Sequence, residues 1–444
     1  MIDGNQCTVA FYVDDNKISH KDPKVVTRVI EQLSEHFGDL KIQRGNKFDL
    51  LGMDVELKNK KVHISMVNHL KDAIETYETG LGMTSRKLPS TPGKANIFNN
   101  GKESDQLNKK ESEIFHTVTA KLLHACKQAR LDIEPVVAYL CTRVSCSTEA
   151  DRVKLDHLIR YLKRTLNDVR VVGARDLKTL LCWIDAAYAV YPNMRGQTGG
   201  TMSFGTGVIH RQSSKQKLNS KSSTESEVIA VSEYLPFHIW VKNFLKYQGY
   251  EVNDNIVFQD NQSAIRLKTN GRNSCTGNSR HIDIQYFFVK DRVDKGEFRI
   301  EYCKTEDMIP DFFTKPLQGH LFRKFRDLIM GYENIPEKYF NITKIKEDVG
   351  LSNQENLICC NVETLDAKTR GDDRNESRIT EGTEDVQIDN GRGRDKEKGG
   401  KKNEKEDSLN AVGDVGTGKV IRTEGRKVSW SEIVSGKRWE NKNK

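Results

Sequence analysis

Two groups of carboxylates fall where bare propensity would not put them. The first is Asp14-Asp15, which follows the apolar run Thr8-Val9-Ala10-Phe11-Tyr12-Val13 and precedes Asn16-Lys17-Ile18-Ser19-His20. This pattern predicts a β-hairpin with two acids at its turn. Paired acids at a hairpin tip suit nucleotidyl transfer, because hard cations take oxygen ligands and two metals must sit about 4 Å apart. A polar turn is the plainer reading of the same two residues. The second group is dispersed. The strand Leu180-Leu181-Cys182-Trp183-Ile184 runs into Asp185, and a buried carboxylate is costly unless paired or metal-bound. Lys221-Ser222-Ser223-Thr224-Glu225-Ser226-Glu227 opens a helix, with hydroxyls to cap it and Glu227 at the edge of the apolar Val228-Ile229 face. The strand Ile256-Val257-Phe258-Gln259 ends at Asp260, where another helix begins. Finally, the strand Phe298 to Cys303 is followed by Asp311-Phe312-Phe313-Thr314-Lys315-Pro316. Taken singly, each acid reads as a cap or a solvated side chain. Together they give the order strand-Asp, helix-Glu, strand-Asp, helix-Asp. Carboxylates converging on one end of a sheet can hold two Mg²⁺ ions for in-line phosphodiester cleavage.

The elements that must position these acids divide the chain into segments. Residues 1–85 read as one α+β unit, with a helix from Pro23 to Phe37 and two strands, Phe48 to Val55 and Lys61 to Ile64. Residues 86–110 read as a polar linker containing Pro89, Pro92, Gly93 and Asn99-Asn100-Gly101. Helical patterns follow at Phe115–Arg130, Pro135–Val144 and Ala150–Thr165, and strands and helices alternate from 178 to 330. Beyond Phe340 the only aromatics are Trp430 and Trp439, and Arg392 to Glu406 is nearly all charge and glycine. That composition predicts a disordered tail over 341–444, where Trp430, Ile433, Val434 and Trp439 could dock on a partner as a short helix.

Composition sets the frame. The 444 residues suffice for two or three domains, and an apolar content of 36% is low enough to leave part of the chain unfolded. The net charge of +8 fits a polyanionic partner. The nine cysteines lack CxxC spacing and read as reduced intracellular thiols. No stretch is apolar enough to span a membrane and no signal peptide is visible, so a cytoplasmic-particle or nuclear location is expected, not secretion.

Phe11 to Asp15 resembles the catalytic hairpin of reverse transcriptases, in the version of Ty1/copia-type retrotransposons. Trp183-Ile184-Asp185-Ala186, Ser222 to Glu227, Asp260-Asn261-Gln262-Ser263-Ala264-Ile265, Arg280-His281-Ile282-Asp283-Ile284 and Asp311 to Leu317 resemble the ribonuclease H of the same elements. The likeness runs over roughly residues 5–330. It implies a reverse-transcriptase palm remnant over 1–85, a helical connection over 111–170 and a mixed-sheet ribonuclease H-like domain over 178–330. The implied metal ligands are Asp185, Glu227, Asp260 and Asp311, which would also be the catalytic residues, on two Mg²⁺ ions or Mn²⁺ in their place. Glu225 is the competing choice; Glu227 is preferred because the family's glutamate directly precedes the apolar helix face. Val228 replaces a common aromatic, and Pro310 departs from the usual small residue while suiting a first helical turn. His281 precedes the position of the family's mobile histidine and reads as structural. Asp14 and Asp15 would be an incomplete polymerase site, because the third acid and the fingers belong upstream of the hairpin; polymerase activity is not expected in this chain alone. Leu51-Gly52 resembles the primer grip, and a glycine where two backbones approach closely is the alternative. In that frame Arg211, Ser213, Ser214, Lys215, Lys217 and Lys221 are composed to hold phosphates, with a solvated strand end as the alternative. The implied partners are an RNA–DNA hybrid, the nucleic-acid backbone and other retrotransposon polyprotein products. The opposing expectation is an inactive relic that binds nucleic acid without catalysis.

Overall fold

The structure is a computed structural model and describes residues 1–12, 15–83, 85, 87–98, 105–265, 288–341, 421–423 and 426–428. The chain divides into two compact units, one of Met1–Arg28 with Asp39–Leu357, the other of Val29–Gly38 with Ile358–Lys444. Of the expected disordered tail, only residues 341, 421–423 and 426–428 are described; its Trp430–Trp439 segment, Asp14 and His281 lie outside the described residues.

The chain opens with strands β1 (Thr8–Tyr12) and β2 (Asp15–Ser19), antiparallel with Tyr12 opposite Asp15. Helix α1 (Pro23–Phe37) matches its expected bounds and buries Val25, Val29 and Leu33. Strands β3 (Lys47–Leu50), β4 (Met53–Lys58) and β5 (Lys61–Ser65) follow. The single strand expected over Phe48–Val55 is therefore a hairpin. Leu51 and Gly52, at φ 55° and 72°, form its two-residue turn, and paired left-handed residues are what such a turn requires. Gly52 thus serves backbone conformation, and no second backbone crowds it: a Cβ there would meet nothing within 4 Å. Helix α2 (Val67–Gly80) is an element not expected from the sequence; Leu70, Ala73, Ile74 and Tyr77 form its buried stripe.

Helices α3 (Lys109–Gln128), α4 (Glu134–Cys141) and α5 (Glu149–Arg164) form the helical body. Helix α3 starts earlier than its apolar pattern because Asn108 and Glu111 make a capping box, and Thr148 with Asp151 does the same for α5. The expected linker is partly built into this body. Thr91, Pro92 and Gly93 are buried, the Thr91 carbonyl meets His157 Nε2 at 2.9 Å, and Gln318 Nε2 donates to the Gly93 carbonyl. Proline and glycine signalled a turn here, not exposure. Between α3 and α4 lies a fully buried ion pair: Arg130 donates to both Asp132 oxygens at 2.8 and 2.7 Å. Two further Arg130 donors reach the Thr165 carbonyl and hydroxyl, and Tyr161 donates to Asp132 at 2.7 Å. A fully hydrogen-bonded buried pair is tolerated; a half-broken one is not.

Strands β6 (Arg170–Ala174), β7 (Thr179–Ala187), β8 (Gln197–Ser203), β9 (Gly205–Thr206) and β10 (His210–Lys215) come next. Helix α6 (Ser223–Tyr247), strands β11 (Asp254–Gln259) and β12 (Arg299–Tyr302), and helices α7 (Asp311–Thr314) and α8 (Gly319–Met330) complete the first unit. The described part of the second unit includes an antiparallel pair, β13 (Ile421–Thr423) and β14 (Arg426–Val428). One five-stranded sheet runs β3-β4-β5-β6-β9, so its pairing crosses the boundaries expected near residues 85 and 178. The other runs β10-β8-β7-β11-β12, with β7, β11 and β12 mutually parallel and β8 antiparallel to both its neighbours, β7 and β10. The architecture is thus mixed α and β.

Two features of the second sheet fix what lies at its end. Parallel register sets Phe258 beside Trp183, so Asp260, just past the end of β11, falls level with Asp185 on β7. On the other side Asp185 pairs with Gly199. A Cβ at Gly199 would lie 2.6 Å from Thr314 Cγ2 and 2.8 Å from the Pro310 carbonyl oxygen. The missing side chain is what lets α7 sit directly on β8.

Gly199→Ala is expected to lower stability by about 1–3 kcal/mol through overpacking, read by denaturant unfolding; an unchanged midpoint would contradict the contact. Asp132→Ala is expected to cost about 3–5 kcal/mol, by stranding a buried guanidinium. Burial alone would raise the Asp132 carboxyl, but Arg130 and Tyr161 outweigh it and hold it below the ordinary value. Its contribution is therefore complete above about pH 4 and lost as pH falls through the lower folded-state value. Acidification below about pH 4 should accordingly destabilise the wild type more steeply than Asp132→Asn.

Candidate metal centre

Asp185 is on the central strand β7, Asp260 directly follows β11, and Glu227 lies in the second turn of α6, which packs on β7. Three separate elements thus deliver one carboxylate each. Ligand oxygens of Asp185, Glu227 and Asp260 all lie within 4.8 Å of one another. Asp185 and Glu227 are 2% and 5% exposed, and Asp260 is half-buried. An all-carboxylate oxygen set suits a hard divalent cation.

Asp311 stands beside this group, at the first position of α7 and 7% exposed. Its charge acts on Asp185, and its carboxylate accepts from Lys315 Nζ at 2.6 Å. Burial, then the Asp311 charge, pushes the Asp185 carboxyl up to about 6, against the opposing pull of Lys315 and Thr314. Burial and the Asp185 charge likewise raise Asp260. Burial raises Asp311 despite its contact with Lys315. These are the shifts expected of like charges gathered away from water.

Each acid is also held by a specific donor. Thr314 Oγ1 donates to Asp185 Oδ2 at 2.6 Å, and Thr305 Oγ1 to Asp260 Oδ2 at 2.9 Å. Glu227 accepts from the Ala186 N–H at 3.2 Å and from Gln259 Nε2 at 2.7 Å. Glu225 has a different task. Its carboxylate accepts from the Lys221 N–H at 2.7 Å, ahead of the helix, and its own N–H donates to Ser222 Oγ, the cap of α6. Thr314, Lys315, Gln259, Thr305 and Gly199 are the residues of this site that sequence reasoning missed. Thr314 and Lys315 lay within a motif of which only the acid was used, and Gln259 showed itself as an amide closing an apolar strand.

The stretch expected to hold phosphates divides by strand alternation. Arg211 is buried, in an ion pair with Glu134 at 2.6 Å, and donates to the Cys126 carbonyl. Ser213 is buried and donates to the Phe313 carbonyl at 2.7 Å. Both side chains are committed inside the protein and leave the expected phosphate-facing set. The polar composition of β10 did not reveal which alternate face is inward. Ser214 is half-buried beside Gln212, Lys215 lies over the Tyr191 ring, and Lys217 and Lys221 are exposed. At the N-terminal end, Asp15 Oδ2 accepts from the Leu51 N–H at 3.1 Å, joining the acid-bearing hairpin to the Leu51-Gly52 turn.

Among the described residues no helix is long and apolar enough to cross a membrane. No protein-family model matches the chain. It is similar to the retrovirus-related Pol polyprotein from transposon TNT 1-94 of Nicotiana tabacum, 26% identical over 339 residues that cover 75% of this chain and 25% of that protein. It is also similar to the retrovirus-related Pol polyprotein from transposon RE1 of Arabidopsis thaliana, 25% identical over 73% of this chain and 22% of that one. The TyH3 Gag-Pol polyprotein of Saccharomyces cerevisiae is 25% identical over 72% of this chain and 19% of its own length. The chain spans a quarter or less of these relatives. Its homologues are Pol and Gag-Pol polyproteins of the Ty1/copia type, the kind its motifs resemble.

Proposed function

We propose that this chain is a Pol-derived fragment whose residues 178–330 form a ribonuclease H-like domain, cleaving the RNA strand of RNA–DNA hybrids by metal-assisted hydrolysis. The observation that carries this reading is the convergence of Asp185, Glu227 and Asp260 from a strand, a helix and a parallel strand end. Asp185, Glu227, Asp260 and Asp311 would hold Mg²⁺. Divalent ions there would supply Lewis-acid activation of water and stabilise charge on the departing oxygen. The chain's own residues do the positioning. Thr314, Thr305, Gln259 and the Ala186 N–H orient the carboxylates. Exposed Lys217 and Lys221, with Ser214, are suited to backbone phosphates, contacts that set register without reading sequence.

In the same reading residues 1–85 are part of a reverse-transcriptase palm and 111–170 the helical connection. The hydrogen bond from Leu51 to Asp15 supports pairing the catalytic hairpin with the grip turn.

The test is cleavage of a hybrid carrying labelled RNA, by the purified full chain with Mg²⁺. Wild type is expected to cut. Asp185→Asn and Glu227→Gln should each lose on the order of 10²-fold or more, the scale of removing one preorganised electrostatic group. Glu225→Gln should retain most activity, because its carboxylate is engaged with the Lys221 N–H ahead of α6 and is outside the acid cluster. Equal cleavage by wild type and Asp185→Asn, or cleavage by neither, overturns the proposal.

A further inference from the structure

The segment after Asp311 does more than deliver that acid. Thr314 and Lys315 are consecutive, and each places a donor on one of two carboxylates of this group: Thr314 on Asp185 and Lys315 on Asp311. Their backbone fixes this arrangement. Helix α7 is a single turn, closed by the Lys315 N–H on the Asp311 carbonyl at 2.9 Å, and at Lys315 the chain turns extended before Pro316. The ammonium thus returns over the turn it has just left, an i to i+4 contact. The two ends of that contact differ. The Asp311 side chain is 10% exposed, whereas that of Lys315 is 42% exposed, on a stem free to swing out.

We propose that Lys315 is an internal counter-cation of the acid cluster, which occupies Asp311 and competes with a divalent ion for the site, so that it sets metal affinity. This rests on the metal-centre reading above. The logic is charge balance. A divalent ion approaching Asp185, Glu227 and Asp260 meets carboxylates already partly neutralised, and recruiting Asp311 requires breaking its contact with Lys315. Removing the ammonium leaves the cluster more negative and Asp311 uncommitted. A merely structural lysine predicts the opposite sign, since loosening α7 would scatter the ligands and weaken binding. Lys315 acts in this scheme through Asp311, as a positioning residue.

The experiment is calorimetric titration of the purified full chain with Mn²⁺, without nucleic acid. Lys315→Met is expected to bind Mn²⁺ about fivefold more tightly than wild type, the scale of one partly exposed ion pair. Lys315→Arg, which keeps the charge, should stay within about twofold of wild type. In an Asp311→Asn background, Lys315→Met should lose most of its effect, the signature of two coupled side chains. Lys315→Gln serves in place of the methionine variant if that one does not fold. Unchanged or weaker Mn²⁺ binding by the neutral variants, with wild type binding normally, overturns the role of Lys315. Absence of binding by wild type and by every variant instead overturns the metal centre itself, and the inference with it.

Discussion

Repulsion among buried carboxylates is the constraint around which the second sheet is arranged. Two unit charges about 4 Å apart cost roughly 4 kcal/mol at an effective dielectric of 20, and here three acids approach to within 4.8 Å with the Asp311 charge acting on Asp185 besides. Such a group persists only if each carboxylate is held by a donor or shares a proton. Most of the donors come from distant parts of the chain: Thr314 for Asp185, Thr305 for Asp260, Gln259 and the Ala186 N–H for Glu227; Lys315 holds Asp311 from four residues on. The acids therefore dictate the placement of everything near them. Strands β7 and β11 must be parallel and in register, α6 must begin against β7, and α7 must lie flat on β8. Gly199 is where that last demand reaches the sequence, because any side chain opposite Asp185 on β8 would lift α7 away.

The helical body handles buried acids differently, and the contrast separates scaffold from site. Asp132 has Arg130, Asp151 has Arg143 with Lys154, Asp156 has Arg160, and Glu134 has Arg211 with Lys127. Each of these acids is matched by at least one cation, and Asp132 is held below its ordinary value as a result. Around Asp185 the balance is reversed. Lys315 is the cation acting on Asp185, Asp260 and Asp311 together, and all three are pushed upward. Burial is common to both groups. The deficit of positive charge is what differs, and a deficit among oxygen ligands is the condition a divalent cation relieves.

What the sequence made legible was local. The amphipathic period placed α1 and the three helices of the body, and acids at the ends of apolar strands marked Asp185 and Asp260. What stayed hidden depended on contacts remote in sequence or on backbone torsions. The Leu51-Gly52 turn lacks an Asn-Gly or Asp-Gly signal, so the run from Phe48 to Val55 looked continuous. Thr314 reaches Asp185 across 129 positions, which no local pattern announces. The choice between Glu225 and Glu227 could not be made from spacing alone, since both lie at the start of α6. The donors each one meets are what distinguish an acid engaged ahead of the helix from a member of the cluster.

Arg211 shows why charge in a sequence is a poor guide to a nucleic-acid surface. It sits in the most basic, hydroxyl-rich stretch near the candidate site, yet its guanidinium is turned inward to Glu134 and the Cys126 carbonyl. By doing so it ties β10 to the helical body, and Ser213 on the same face ties β10 to Phe313, the residue before Thr314. Strand alternation then leaves the opposite face, with Gln212 and Ser214, and the exposed Lys217 and Lys221 beyond it. The inward half of β10 thereby helps fix α7, and so the donors to Asp185 and Asp311. A substitution at Arg211 would act on the acid cluster through packing, whereas one at Lys217 or Lys221 would act on surface charge alone.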